Sequence, residues 1–195
     1  MPDLRAIAVF CGSKTGRDPA YAQLAAEVGA RLAREGSAIV YGGGNVGLMG
    51  VLADAALATG GRVIGVIPIS LQERELAHSR LSEQHVVASM HERKTKMSEL
   101  SDAFIALPGG IGTLEEIYEQ WTWSQLGIHS KPCAFLNAMG YFDPIRAMID
   151  RMAAEGFMAP EYAAMVAIEP AIEPLLARLR GYRPPPLKWA AKPVP

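Results

Sequence analysis

The stretch that decides the fold runs from Ala103 to Glu116 and reads AFIALPGGIGTLEE. Its first five residues, Ala103 to Leu107, are apolar and predict a buried strand. The glycines that follow open directly into a helical pattern that continues to about Gly127. A glycine-rich turn between a strand and a helix exposes backbone N–H groups at the positive end of the helix dipole. This stretch therefore suits a phosphate or another anion.

Apolar strands and amphipathic helices alternate along the whole chain. Strands are predicted at residues 6–10, 38–41, 62–67, 103–107, 132–137 and, at an edge, 165–168; helices are predicted at 19–34, 48–58, 90–100, from the glycine motif to about 127, at 143–155 and at 170–180. Strands that are apolar throughout predict a parallel sheet covered on both sides. The expected fold class is α/β, a Rossmann-like, doubly wound parallel sheet with helices on both faces.

Three further expectations concern the boundaries of this fold. Residues 69–88 have no steady period and predict an irregular or partly helical excursion. Asp143 is predicted as the N-cap of its helix, with Pro144 at the first helical position. A single domain is expected over residues 1–182, followed by a proline-rich tail, 183–195, that is extended or disordered.

Composition narrows the class of protein. The 195 residues are 50% hydrophobic and 20% charged, and the formal net charge is -1, so bulk charge favours neither nucleic acid nor an anionic membrane as a partner. No apolar run is long enough to span a bilayer and no signal peptide is recognisable, which predicts a cytoplasmic protein. Cys11 and Cys133 are expected to be buried, reduced thiols. The histidines share no ligand spacing, so neither a metal nor a cofactor is expected.

Small residues follow three of the predicted strands, at Gly12-Ser13, at residues 42–44 and at residues 109–113. The carboxyl ends of parallel strands meet at one edge of a sheet, where ligands bind. Residues 42–47 match the GxGxxG dinucleotide fingerprint, yet the acidic residue expected about 20 positions on is absent, since that region reads IPI at 67–69. No Walker A sequence is present. A mononucleotide therefore fits better than NAD or ATP.

Two charged segments near the third turn each allow two interpretations. Glu116 could close a capping box with Thr113 as N-cap, or it could serve the sugar or a water beside an anion site. The segment 90–97, MHERKTKM, could be a solvated helix face, or it could fold over the edge of the sheet. In the second case Arg93 would supply a fixed bidentate donor and Lys94 a mobile charge. Spacing alone leaves both alternatives open.

Several motifs together resemble one known family. Residues 108–116 are similar to the P-G-G-x-G-T-x-x-E motif of the LOG ("lonely guy") family, cytokinin riboside 5′-monophosphate phosphoribohydrolases. Met90 to Lys94 resembles its M-H-x-R-K signature, residues 42–50 resemble its earlier glycine loop, and residues 11–13 resemble its first turn. The likeness runs in order from about Ala6 to Ile168. The family was long confused with lysine decarboxylase, but nothing in this sequence marks a pyridoxal phosphate site.

The resemblance implies hydrolysis of the N-glycosidic bond of an N6-modified AMP, giving a free cytokinin base and ribose 5-phosphate. Plain AMP remains open as a substrate. Arg93 and Glu116 would be the catalytic pair, with Glu75 in a segment where Glu73 replaces the family's usual proline. Contacts with substrate or phosphate are implied at Gly12, Ser13, Gly43, Gly44, Glu75, Met90, Lys94, Pro108, Gly109, Gly110, Ile111, Gly112, Thr113 and Glu115.

The family's assembly implies a homodimer or a higher homo-oligomer, with a small nucleotide as the other partner. One alternative function belongs to a different class, that of a non-catalytic nucleotide or cofactor carrier on the same fold. A carrier would keep the glycine turns without needing both Arg93 and Glu116. The presence of that pair favours the enzyme.

Overall fold

Parallel strands alternate with helices in the computed structural model, which describes residues 4–72 and 77–186. The strands in these ranges are β1 Ala6–Phe10, β2 Ala38–Tyr41, β3 Val63–Pro68, β4 Glu83–Val87, β5 Ala103–Ala106, β6 Cys133–Leu136 and β7 Val166–Glu169. The helices are α1 Ala20–Arg34, α2 Gly47–Ala58, α3 Ile69–Gln72, α4 Met90–Glu99, α5 Ile111–Leu126, α6 Asp143–Ala154, α7 Pro160–Ala163 and α8 Ile172–Arg180, with a 3₁₀ turn at Ala138–Gly140.

The seven described strands form one sheet in the order β4-β3-β2-β1-β5-β6-β7, and every pair is parallel. The chain moves outward from β1 to β4 and then returns to place β5 on the other side of β1. Ala8 in β1 therefore pairs with Val40 of β2 on one side and with Phe104 of β5 on the other. This reversal between β1 and β5 is the topological switch point of a doubly wound fold, where ligands bind. The predicted fold class is confirmed.

The two faces of the sheet carry separate cores. Ile7 and Val9 of β1 point toward a cluster that includes α1, α2 and α8. Ala8 and Phe10 point the other way, toward a cluster that includes α4, α5, α6 and α7. Successive side chains of a strand alternate between faces, so strands that are apolar at every position are buried on both sides. The predicted helices on both faces are confirmed.

Strand β4 was missed by the sequence analysis, which treated residues 69–88 as irregular or partly helical. The helical part is confirmed by α3, but Glu83–Val87 is an edge strand that pairs with β3 alone. Its side chains alternate between half-buried and exposed positions, because no second strand covers its outer side. The strand was not predicted because buried strands are recognised by apolar residues, whereas β4 begins with the polar residues Glu83, Gln84 and His85.

The start of α6 also differs from its prediction. Asp143 is the first helical residue and Phe142 is the N-cap, so the expected positions of Asp143 and Pro144 were wrong by one. The Asp143 carboxylate does not cap the helix; it accepts a hydrogen bond from Nδ2 of Asn137 at 2.7 Å. The amide oxygen of Asn137 accepts from the Phe142 N–H at 2.6 Å and thereby satisfies the backbone at the helix start.

Other expectations can be placed on the described residues. Cys11 and Cys133 are buried and unpaired, as predicted. Residues 182–186 belong to no helix or strand, and the rest of the predicted tail, 187–195, lies outside the described ranges. Across 4–72 and 77–186, no helix is both long and apolar enough to cross a bilayer.

Candidate active site

A cleft of about 630 Å³ opens at the carboxyl edge of the sheet, above the switch point between β1 and β5. Its walls come from the turns after these two strands, from the first turns of α2, α4 and α5, and from single residues of α1, α3 and the segment after β6. The lining residues are Cys11–Gly16, Tyr21, Leu48, Met49, Leu71, Met90, Arg93, Pro108–Thr113, Glu115, Glu116 and Tyr141.

The turns after β1 and β5 pack backbone against backbone. The Gly12 N–H donates to the Pro108 carbonyl at 3.1 Å. A Cβ placed on Gly109 would lie 2.8 Å from the Gly12 nitrogen and 2.1 Å from Oγ1 of Thr113. Gly109 is therefore required by the protein's own packing. A Cβ on Gly110 or Gly112 would meet no described atom within 4 Å, so the space at the start of α5 is open to a ligand.

The start of α5 excludes the capping-box interpretation of Glu116. Gly110 is the N-cap and no side chain caps the helix, which places Thr113 inside the first turn and Glu116 in the second. The first backbone N–H groups of this 16-residue helix are thus left for another partner. An anion in the open space beside Gly110 and Gly112 is the partner that such a helix start favours.

Arg93 of α4 is turned inward over the edge of the sheet. Only 6% of the residue is exposed, and its Nε donates to the Val66 carbonyl of β3 at 3.1 Å. Its Nη1 lies 3.9 Å from Oε1 of Glu116. The interpretation of α4 as a purely solvated face is therefore wrong at Arg93, and the alternative, in which this helix folds over the sheet edge, is confirmed.

The direction of α4 is fixed by a cap that the sequence analysis did not use. Ser89 is the N-cap, and its Oγ accepts a hydrogen bond from the Glu92 N–H at 3.1 Å. The Glu92 carboxylate in turn accepts from the Ala88 N–H at 2.8 Å. These two bonds satisfy donors at the helix start and hold the first turn of α4, from which Met90 and Arg93 reach the cleft.

Lys94 points toward α5 and is held there by two carboxylates. Its Nζ lies 2.5 Å from Oε1 of Glu115 and 3.0 Å from Oε1 of Glu119. Burial opposes the charge on Lys94, but the hydrogen bonds that its ammonium donates to both carboxylates outweigh this effect, so the pKa of Lys94 is raised. Lys94 is not among the residues that line the cleft, whereas its partner Glu115 is. In this structure Lys94 braces α4 against α5.

Most of the residues singled out from the sequence meet in this cleft. Those that line it are Gly12, Ser13, Met90, Arg93, Pro108, Gly109, Gly110, Ile111, Gly112, Thr113, Glu115 and Glu116. Glu75 lies outside the described residues.

Gly43 and Gly44 are described but are absent from the cleft wall. The Gly43 carbonyl accepts from the His78 N–H at 3.0 Å, and Gly44 forms an antiparallel bridge with Ala77. Gly43 also has a φ of 78°, a backbone conformation that favours glycine. In this structure these two glycines hold the segment that leads into β4.

The sequence analysis placed the turn at 42–44 at the ligand edge but gave Gly42 no role, and it did not single out several cleft residues, among them Leu71 and Tyr141. Gly42 leaves space for the guanidinium of Arg93, and a Cβ at this position would lie 2.0 Å from Nη2. Leu71 of α3 and Tyr141 after β6 line the cleft. The signal available for Tyr141 was its position beyond the carboxyl end of a predicted strand, the same signal that placed residues 42–44 at the edge where ligands bind. Leu71 offered no such signal.

The thiol in the cleft is not a nucleophile. Burial, and secondly the nearby Glu116 carboxylate, raise the pKa of Cys11 far above its usual range, so the sulfur stays protonated. Within the described ranges, no group of three or more His, Cys, Asp or Glu side chains could hold a metal ion. What the cleft offers is a set of backbone donors for an anion, with a buried Arg–Glu pair beside them.

Comparisons with known proteins agree with this chemistry. Residues 49–179 match the model of the family described as possible lysine decarboxylase. The chain is 49% identical over 181 residues to the cytokinin riboside 5′-monophosphate phosphoribohydrolase of Rhodococcoides fascians, covering 92% of this chain and 91% of that protein. It is 45% identical over 186 residues to the corresponding enzyme LOG1 of Arabidopsis thaliana, covering 95% and 87%.

A solved structure shares the fold at lower identity. The molybdenum cofactor (Moco) carrier protein of Chlamydomonas reinhardtii superposes with a TM-score of 0.68 and 18% sequence identity, covering 92% of this chain and 97% of that one. At this identity the likeness concerns the arrangement of strands and helices alone.

Proposed function

Because the chain belongs to the LOG family, we propose that it hydrolyses the N-glycosidic bond of cytokinin riboside 5′-monophosphates. Water adds to C1′ of the ribose, the bond to the base breaks, and the base leaves with a proton. The products are the free cytokinin base and ribose 5-phosphate. One observation carries the proposal: Nη1 of the buried Arg93 lies 3.9 Å from Oε1 of Glu116, in the same cleft as the open helix start at Gly110.

The substrate phosphate would bind at the first turn of α5. The N–H groups of Gly110, Ile111 and Gly112 lie at the positive end of the helix, and the turn after β1 closes the opposite side. Glycine at positions 110 and 112 leaves these donors accessible. A 5′-monophosphate fills such a site, whereas a free nucleoside leaves it empty.

Glu116 would act on the ribose. Cleavage of a ribosyl bond builds positive charge on the sugar ring, as in other oxocarbenium-like transition states. A carboxylate one turn deeper than the phosphate site can stabilise that charge and orient the attacking water. The Glu116 side chain is 13% exposed, so the carboxylate is largely shielded from bulk water while still bordering the cleft.

Arg93 would contact both the Glu116 carboxylate and the nucleotide and so fix their relative positions. Its Nε is committed to Val66, and its Nη1 faces Glu116. The cationic guanidinium attracts the Glu116 carboxylate and anchors the anionic nucleotide. Lys94, paired with Glu115, would position the first turns of α4 and α5 around the ligand.

The test is release of free base from isopentenyladenosine monophosphate and from AMP, separated by chromatography. Release from the modified nucleotide supports the proposal; equal release from both widens the substrate to AMP in general. Tight binding of the nucleotide without release would overturn the proposal and favour a carrier.

The assignment of the catalytic pair has its own test. Glu116→Gln and Arg93→Ala should each fold normally and lower kcat by roughly 10²–10⁴, because each removes a group used mainly in the transition state. Matched controls are Glu155→Gln and Arg151→Ala, which break an ion pair of 2.9 Å on the exposed side of α6. Near-native turnover in both Glu116→Gln and Arg93→Ala would refute the assignment.

We also expect a cytoplasmic enzyme that assembles as a homodimer or a higher homo-oligomer. Its single chemical partner would be the nucleotide, with no nucleic acid or membrane involved. Light scattering of the purified chain measures the mass directly, and a monomer at micromolar concentration would contradict this expectation.

A further inference from the structure

A tyrosine hydroxyl contacts the backbone of the anion-binding turn. Tyr141 follows β6, and its OH donates to the Gly109 carbonyl at 2.6 Å. The two residues are 32 positions apart in sequence, and both line the cleft. Tyr141 is 38% exposed, so this bond lies at the wall of the site rather than within the core.

The peptide unit that this bond holds is one that could otherwise rotate. It joins Gly109 to Gly110, and a peptide between two glycines can turn over at little steric cost because neither residue carries a Cβ. In a trans peptide the C=O and the N–H point in opposite directions. A rotated unit would present its carbonyl, rather than its N–H, to the space at the start of α5. A carbonyl oxygen repels a phosphate, whereas an N–H binds it.

The hydroxyl is itself held by the fold. The segment between β6 and α6 turns sharply at Met139 and Gly140, which have φ values of 55° and 69°. Asn137 closes this turn, since its Oδ1 accepts from the Phe142 N–H at 2.6 Å. The backbone on either side of Tyr141 is therefore fixed by bonds that do not involve the ligand.

The tyrosine ring is packed on two sides by other aromatic rings. It lies edge-on to Tyr21 of α1, with centroids 5.6 Å apart and planes at 78°, and edge-on to Phe142, at 5.0 Å and 89°. Edge-to-face pairs of this kind restrict the orientation of a ring. Tyr141 thus links the segment after β6, the helix α1 and the turn after β5 at one end of the cleft.

We propose that Tyr141 is a positioning residue for phosphate recognition: its hydroxyl fixes the Gly109–Gly110 peptide so that the carbonyl is kept away from the anion. The inference rests on the proposed function, because it concerns the phosphate of that substrate. It assigns Tyr141 no contact with the reacting atoms. Its effect should appear in binding of the phosphate and leave the chemical step nearly unchanged.

The test is Tyr141→Phe, which removes the hydroxyl and keeps the ring. We expect the KM for the nucleotide and the inhibition constant of ribose 5-phosphate to rise about five- to twentyfold, as for loss of one hydrogen bond and partial rotation of the peptide. The kcat should change less than about threefold. Inhibition by free adenine, which lacks a phosphate, should be unchanged. Tyr162→Phe, which removes a hydroxyl on α7 outside the cleft, should match the wild type throughout.

Two results would overturn the inference. One is an unchanged inhibition constant for ribose 5-phosphate in Tyr141→Phe. The other is equal weakening of ribose 5-phosphate and adenine, which would indicate general loosening of the cleft. Calorimetric binding of AMP and adenosine separates this inference from the proposed function. If the wild type releases no base, the proposed function fails, while selective weakening of AMP over adenosine in Tyr141→Phe still supports the role of Tyr141.

Discussion

Arg93 occupies the space that a side chain at position 42 would need. A Cβ on Gly42 would lie 2.0 Å from Nη2 of Arg93 and 3.3 Å from Sδ of Met49. Gly42 directly follows β2, which ends at Tyr41, and Arg93 reaches it from α4. The absence of a side chain at residue 42 thus leaves the space in which the guanidinium lies near Glu116.

Gly42→Ala should therefore reduce activity more than stability. The atom that must move is the end of a long side chain, so the protein can relieve the clash by shifting Arg93, at a cost of about 1 kcal/mol, the low end for overpacking. That shift moves Arg93 away from Glu116. We therefore expect kcat to fall roughly 10- to 100-fold, which is less than the fall expected for Arg93→Ala. The measurements are steady-state kinetics and thermal unfolding.

A double-mutant cycle shows whether Arg93 transmits this effect. If Gly42→Ala acts through the guanidinium, adding it to Arg93→Ala should cause no further loss of kcat. Additive losses in the double variant would mean that Gly42 affects the site by some other route.

Substitutions of Gly109 and Gly112, in the turn after β5, should differ in their effects on stability and activity. Gly109→Ala brings a Cβ to 2.8 Å from the backbone nitrogen of Gly12, an atom that cannot move alone, so the two turns must part. We expect a loss of about 1–3 kcal/mol in the free energy of unfolding together with loss of activity. Urea unfolding and kinetics of the same sample measure both.

Gly112→Ala should behave in the opposite way. No described atom lies within 4 Å of its Cβ, and alanine is favoured over glycine in a helix by up to about 1 kcal/mol, so stability should be unchanged or higher. The added methyl group would intrude on the phosphate, and KM should rise about tenfold or more. An unaltered KM in this folded variant would place the phosphate elsewhere.

Lys94→Met should destabilise the protein at neutral pH. The substitution leaves Glu115 and Glu119 without their cation, and we expect a cost of about 1–2 kcal/mol, between the values for exposed and buried ion pairs. Because the folded pKa of Lys94 is raised, its stabilising effect is complete below the unfolded pKa, about 10.4, and is lost as pH rises through the folded pKa.

The gap in unfolding free energy between wild type and Lys94→Met should therefore be constant from pH 7 to 9 and narrow above about pH 10.4. Urea titrations at several alkaline pH values measure it. Lys96→Met is a suitable control, since the ion pair of Lys96 with Glu99 is longer, at 3.5 Å, and Glu99 is exposed. A gap that stays constant into the alkaline range would show that packing, rather than charge, determines the effect of Lys94.

His129 should make the protein sensitive to mild acid. Burial, and secondly the charge of Lys131, lower the pKa of His129 to about 4, against 6.5 for a free histidine. Between pH 6.5 and about 4, His129 therefore binds a proton in the unfolded chain but not in the folded protein. The contribution to stability is complete above pH 6.5 and is lost as pH falls toward 4; allowing for partial exposure, it amounts to about 1–2 kcal/mol.

His129→Asn isolates this titration. The Nδ1 atom of His129 accepts from the Lys131 N–H at 3.2 Å, and an asparagine oxygen can take its place without titrating. Unfolding free energies between pH 7 and 4 should fall more steeply for the wild type than for the variant. Parallel curves would mean that His129 is protonated in the folded protein as readily as in the unfolded one.

The sequence was informative wherever a signal is local. Apolar strands such as Ala103–Ala106 and the glycine turn at 109–112 are recognisable from residues adjacent in the chain. Together they predict the doubly wound sheet and the edge at which a ligand would bind. Strand β4 was missed because its outer side faces solvent, so Glu83 and Gln84 are tolerated there. The capping-box interpretation of Thr113 and Glu116 was wrong because the N-cap lies three residues earlier, at Gly110, and local pattern defines such a boundary poorly.

By itself, then, the sequence determined most of the strands and helices and their order, the glycine turn after β5 and the family motifs, because each is encoded in a continuous run of residues. Only the tertiary structure decided which groups meet there. Arg93 contacts Val66 across 27 positions, and Tyr141 reaches Gly109 across 32. Such pairs depend on how helices and loops pack over separate strands, and no local pattern of residues specifies that packing.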